Sequence, residues 1–121
     1  MNVKVVVLIL LVGFTLPTFA GERVSLRVTP AVSFAPANLI VRATVESNKD
    51  NRAIEIIAES EDFYRSSEMS LDGDHAPRVT LMQFKSLPGG EYRVRAILKG
   101  VSGHELASTD TRVNVVTEGG L

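Results

Sequence analysis

After its first twenty residues the chain reads as an all-β, sandwich-forming domain of about seven antiparallel strands. Three observations predict this. Apolar and polar residues alternate with period two in six stretches. Turn-forming residues separate these stretches about every ten residues, the spacing of a sandwich. No segment beyond residue 20 carries a helical apolar period, and no internal repeat or low-complexity linker divides the 121 residues, so one domain over residues 21–121 is expected.

In chain order, "RVSLRVTP" sets Val24, Leu26 and Val28 against Arg23, Ser25 and Arg27, and Pro30 ends the run because proline cannot donate to a ladder. "NLIVRATVE" sets Leu39, Val41, Ala43 and Val45 inward, with Ile40, Arg42 and Thr44 outward. "SNKDNR" is a polar turn. "AIEIIAES" sets Ile54, Ile56 and Ala58 inward and Glu55, Ile57 and Glu59 outward. "FYRSSEM" is expected as a short edge strand, and Asp72-Gly73 after it is a hairpin signal. "RVTLMQF" is apolar on both faces, with Met82 and Phe84 expected inward. "EYRVRAILK" alternates strongly, with Tyr92, Val94, Ala96 and Leu98 inward. "GVSGHE" is a turn, and "LASTDTRVNVV" closes the domain with Val113 and Val115 inward.

Residues 1–20 have the layout of a secretory signal peptide. Lys4 precedes an apolar run from Val5 to Leu16, then Pro17 breaks it, and small residues at 18 and 20 mark a cut after Ala20. The run is shorter than the ~20 residues a spanning helix needs. An uncleaved segment is the one expected route to a membrane. Removing Lys4 makes residues 21–121 one unit more negative than the net −1 of the whole chain, which argues against a nucleic-acid partner, whose phosphates call for a basic surface. The absence of cysteine and of an Asn-x-Ser/Thr sequon fits an exported bacterial protein, periplasmic or secreted.

One specific motif stands in the chain. "LPGGEY" joins two strands, with Leu87, Pro88 and Gly89 at the corner and Tyr92 at the head of the next strand. Pro88 fixes φ, a glycine permits a tight reversal, and an inward Tyr92 can return its hydroxyl to the corner backbone. This resembles the tyrosine corner of immunoglobulin-like sandwiches. Antibody-type domains carry a cysteine two residues after that tyrosine, where this chain has Val94, and it contains no tryptophan. The resemblance is therefore to cysteine-free bacterial immunoglobulin-like or fibronectin type III-like modules. It implies a binding, spacer or assembly role, because the fold carries no function by itself.

No catalytic, cofactor or metal site is expected. The two histidines, His75 and His104, lie in turns, and Asp72, Asp74 and His75 do not match a calcium loop. No nucleophile elbow, phosphate loop or dinucleotide fingerprint occurs. Outward Arg42, Arg93 and Arg95 are expected to form cross-strand ion pairs with Glu55 and Glu59. The stretch around Phe63, Tyr64 and Arg65 is the candidate partner-binding site. Two adjacent aromatics on a strand point to opposite faces, leaving one exposed beside an arginine, and Tyr and Arg are favoured at binding hot spots. The expected function is an exported, non-enzymatic binding or assembly module with a protein partner. The alternative is a carbohydrate-binding domain using Phe63 and Tyr64 as a stacking platform.

Overall fold

In a computed structural model, residues 23–117 are described; the expected signal peptide and the end of the chain lie outside them. Eight strands form two facing sheets: β1 Val24–Thr29, β2 Val32–Phe34, β3 Ala37–Val45, β4 Ala53–Glu59, β5 Tyr64–Ser70, β6 Val79–Leu87, β7 Gly90–Lys99 and β8 Glu105–Val116. One sheet has the order β1-β3-β6 and the other β2-β8-β7-β4-β5. The domain is an all-β sandwich.

The alternation read from the sequence decides which side chains fill the space between the sheets. Leu39, Val41, Ala43 and Val45 of β3 face Ile54, Ile56 and Ala58 of β4 and Tyr92, Val94, Ala96 and Leu98 of β7, with Val113 and Val115 of β8 and Phe84 of β6 completing the core. Burial of branched aliphatic side chains at about 25 cal/mol per Å² supplies the main driving force. Met82 packs against the core half-buried, beside the fully enclosed Phe84.

Four features depart from the sequence expectation. The short strand β2 lies between Pro30 and Pro36 and pairs parallel to β8, Val32 opposite Asn114 and Phe34 opposite Val116, so the five-stranded sheet is not wholly antiparallel. Three residues are too few for a periodic signal. Asp72-Gly73 makes no hairpin. It opens a 3₁₀ turn, Gly73–His75, that carries the chain from the edge of one sheet to the edge of the other. Gly73 has φ +52°, and a Cβ there would sit 3.0 Å from the Lys49 carbonyl oxygen, which is why glycine holds the place.

The polar turn "SNKDNR" is not wholly solvated. Asn51 is buried, its Nδ2 donates to the Glu46 carbonyl at 3.0 Å, and its own carbonyl accepts from the Gly73 amide. Ile57 points away from the core as expected yet is also buried. It stands in register with Ser66 of β5 and Arg95 of β7, flanked on both sides by neighbouring strands.

Candidate functional site

The chain between β6 and β7 turns at Pro88, and Tyr92 enters β7 with its ring almost fully enclosed, 1% exposed. Its hydroxyl donates a 2.7 Å hydrogen bond to the Pro88 carbonyl oxygen. The sequence motif is therefore a tyrosine corner in fact, with Leu87 buried beneath it. Burial pushes the Tyr92 hydroxyl pKa up, while a hydrogen bond with Ser60 and the nearby Arg65 charge pull it partly back.

Phe63 and Arg65 belong to the same corner. A tight turn, closed by the Ser60 amide donating to the Phe63 carbonyl at 2.8 Å, delivers Phe63 to the Tyr92 ring. The two rings meet edge to face at 74° and 6.2 Å, a geometry worth about 0.5–1.5 kcal/mol beyond its area. The Arg65 guanidinium lies 5.1 Å over the Phe63 ring and donates from Nη1 to the Lys85 carbonyl of β6 at 2.8 Å. Since β5 and β6 are edges of different sheets, Arg65 ties the two sheets together across an open side of the sandwich.

Tyr64 is different. It is 59% exposed and pairs with Glu59 on the outer side of β4. The three candidate residues are thus neighbours in sequence but not one surface. Phe63 and Arg65 brace the corner, Arg65 from the solvent side, and Tyr64 is exposed on the outer face of the sheet without a part in the corner. Phe63 and Tyr64 do not form a joint platform.

The outer face of the five-stranded sheet carries both signs of charge in contact. Lys99 reaches Glu55 at 2.9 Å and Glu68 at 3.2 Å, and Arg93 meets Asp110 at 3.7 Å. The Lys99 ammonium is held above its usual pKa by Glu55 first and Glu68 second. These pairings correct the expectation that Glu55 and Glu59 serve the arginines. Period two placed all of them outward but could not say which sheet or strand would lie opposite. A shallow cleft of about 390 Å³ opens beside Lys99, lined also by Arg52 and Glu68; its lysine is already engaged by Glu55 and Glu68. Among the described residues no three His, Asp or Glu side chains converge as a metal site.

The outer face of the three-stranded sheet is unlike this. Ile40 and Leu81 are large apolar side chains in the open, Leu81 at 61% exposure, with Val79 beside them. Arg27 of β1 stands directly opposite Arg42 of β3, and Arg42 directly opposite Leu81 of β6. Arg42 has no carboxylate partner among the described residues, contrary to the sequence expectation. Sequence reasoning placed Arg27, Ile40 and Arg42 outward but did not join them to Leu81. The one available signal was that "RVTLMQF" is apolar on both faces.

No protein-family profile matches the chain, and no curated protein matches it. Solved structures do. A superoxide reductase (neelaredoxin) from Ignicoccus hospitalis superposes with a TM-score of 0.55 at 14% identity, over 85% of this chain and 87% of that one. A family 76 glycoside hydrolase from a bovine Bacteroides thetaiotaomicron strain gives a TM-score of 0.55 at 16% identity, over 76% of this chain. This chain spans only 20% of that hydrolase. At these identities the likeness is one of fold. The chain is similar to these proteins as a β-sandwich.

Proposed function

We propose that the protein is an exported, non-enzymatic module of the immunoglobulin-like type that binds another protein through the outer face of its three-stranded sheet. The observation that carries this reading is the contiguous Ile40, Val79 and Leu81 surface on a face with no apolar cover among the described residues. Exposed apolar patches on a folded domain mark interaction surfaces. The tyrosine corner and the absence of cysteine support a module of bacterial immunoglobulin-like or fibronectin type III-like kind. The layout of residues 1–20 supports export, with Gly21 as the mature N-terminus.

The test is a photo-crosslinking amino acid placed at Leu81 in the source cells, with a control at Ser108 on the charge-paired face. A discrete protein adduct from position 81 and none from position 108 is expected. Equal labelling from both positions, or none from 81, would remove the reading. N-terminal sequencing of the exported product is expected to begin at Gly21.

A further inference from the structure

The strand β6 is an edge with half of its backbone unpaired, and the register says which half. The Val45 amide donates to the Arg78 carbonyl at 2.8 Å. Hydrogen-bonded pairs alternate along an antiparallel ladder, so Thr80, Met82 and Phe84 direct their amides and carbonyls to β3. Val79, Leu81 and Gln83 direct theirs to the open side. The Lys85 carbonyl, next in this series, is the one Arg65 takes up. A long open edge with apolar side chains is a template for an added strand.

The side chains of that series share the outer face with a surplus of positive charge. The outward positions of the three strands are Ser25, Arg27 and Thr29; Asn38, Ile40, Arg42 and Thr44; and Val79, Leu81, Gln83 and Lys85. Three are cations and none is an acid, in a chain whose net charge is −1. Arg27 and Arg42 face one another directly across the strand pair. Like charges at such positions destabilise a sheet. The fold keeps them there without a counter-charge among the described residues, while the opposite face pairs Lys99 and Arg93 with acids.

We propose that β6 accepts an extended acidic segment of a partner protein as an additional strand. The segment's backbone pairs with Val79, Leu81 and Gln83. Its outward side chains alternate between apolar residues that cover Leu81 and Ile40 and carboxylates that reach Lys85 and Arg42. A second copy of this chain at the same edge would bring no carboxylate to the face, since the outward positions of its own β6 are Val79, Leu81, Gln83 and Lys85. This inference rests on the protein-binding reading above and names the partner's chemistry.

The probe is a synthetic peptide of repeating Glu-Thr-Val-Thr, which as a strand sets glutamate and valine in turn on one face, titrated into the isotope-labelled 21–121 chain at low salt, with its lysine-for-glutamate analogue as control. Amide shifts and exchange protection are expected at Val79, Leu81 and Gln83, weakening as salt rises. Arg42→Thr is expected to weaken the glutamate peptide at least about fivefold and, by removing the like-charge pair, to raise the urea midpoint. A purely structural arginine would not move the two readouts in opposite directions. Leu81→Pro deletes an edge amide together with the apolar contact and is expected to abolish binding; should it not fold, Leu81→Glu, which sets a carboxylate against those of the peptide, is expected to abolish it instead.

Equal binding of the lysine peptide, or protection elsewhere than β6, would overturn the proposal. So would attachment to phosphatidylglycerol vesicles that the glutamate peptide does not displace, since the face would then serve a lipid surface. A Leu81 crosslink to a protein in cells combined with these failures would leave the protein-binding reading standing and remove only the added strand. The absence of any Leu81 adduct removes both.

Discussion

The Tyr92 hydroxyl donates to the Pro88 carbonyl oxygen at 2.7 Å, four residues back across the corner. The ring is enclosed on the core side and met edge-on by Phe63, so water cannot freely replace the bond. Tyr92→Phe keeps the ring and leaves the Pro88 carbonyl without its donor. The expected cost is about 1–3 kcal/mol, out of the roughly 5–15 kcal/mol a domain of this size holds. It should appear as a lower urea midpoint at unchanged slope. A midpoint equal to that of the parent would mean that the hydroxyl contributes nothing to the corner.

The same burial predicts an alkaline limit. Desolvation raises the Tyr92 pKa in the folded state, against the smaller opposing effects of Ser60 and Arg65. The folded protein therefore holds the phenolic proton more tightly than the unfolded chain. Stability from this group is full below the unfolded value of about 10 and falls as pH rises through the folded value. In a Tyr64→Phe background Tyr92 is the one remaining tyrosine. Its tyrosinate absorbance is expected to rise together with loss of structure. Titration of a folded domain at the ordinary value would contradict the burial argument.

The corner was legible in the sequence because it is local. Leu87, Pro88, Gly89 and Tyr92 lie within six residues, and each has a conformational reason to be there. The inward faces of β3, β4 and β7 were legible because a regular strand obeys period two. What the sequence hid depends on registration between distant strands. Arg27 opposite Arg42, Arg65 on the Lys85 carbonyl and Lys99 between Glu55 and Glu68 each join residues whose distance no local pattern contains. The candidate site was half legible for the same reason. Adjacent aromatics do separate, but which ring faces the core was decided by Tyr92, far along the chain.

That division of Phe63, Tyr64 and Arg65 predicts unequal mutations. Phe63→Ala removes the edge contact to Tyr92 and opens the core margin. Because the ring is only partly buried, the loss should be about 2 kcal/mol, below the range of a fully enclosed phenylalanine. Arg65→Ala gives up a solvent-exposed bridge and a cation–π contact and should cost about 1 kcal/mol. Tyr64→Ala should change stability by no more than about 0.5 kcal/mol, so any binding defect it causes is a surface effect. Chemical denaturation of the three variants would decide this, and equal losses would contradict the separation.

Asn38 and Ser86 control how β6 reaches the corner. Phe84 and Leu87 are both buried although three residues apart, which an unbroken strand cannot achieve, since odd spacings point to opposite faces. The ladder shows the reason: Leu39 pairs with Phe84 but Ala37 pairs with Leu87, so β6 carries one residue more than β3. This is a β-bulge. Ser86 takes φ 58° there, and its amide is taken by the Asn38 side-chain oxygen at 2.9 Å. The bulge restores the inward phase in time for Leu87 and so sets Pro88 where Tyr92 can reach it. Ser86→Gly, which accepts positive φ without steric cost, is expected to be within about 0.5 kcal/mol of the parent, the steric gain offset by unfolded-state entropy. Ser86→Val, β-branched at the same φ, should lose about 1–3 kcal/mol. Asn38→Ala should cost less than about 1 kcal/mol, because water can serve an exposed amide. The deciding comparison is the urea midpoint of Ser86→Val against Ser86→Gly. If valine were tolerated as well as glycine, the positive φ would not be needed, and the phase shift that buries both Phe84 and Leu87 would require a different cause.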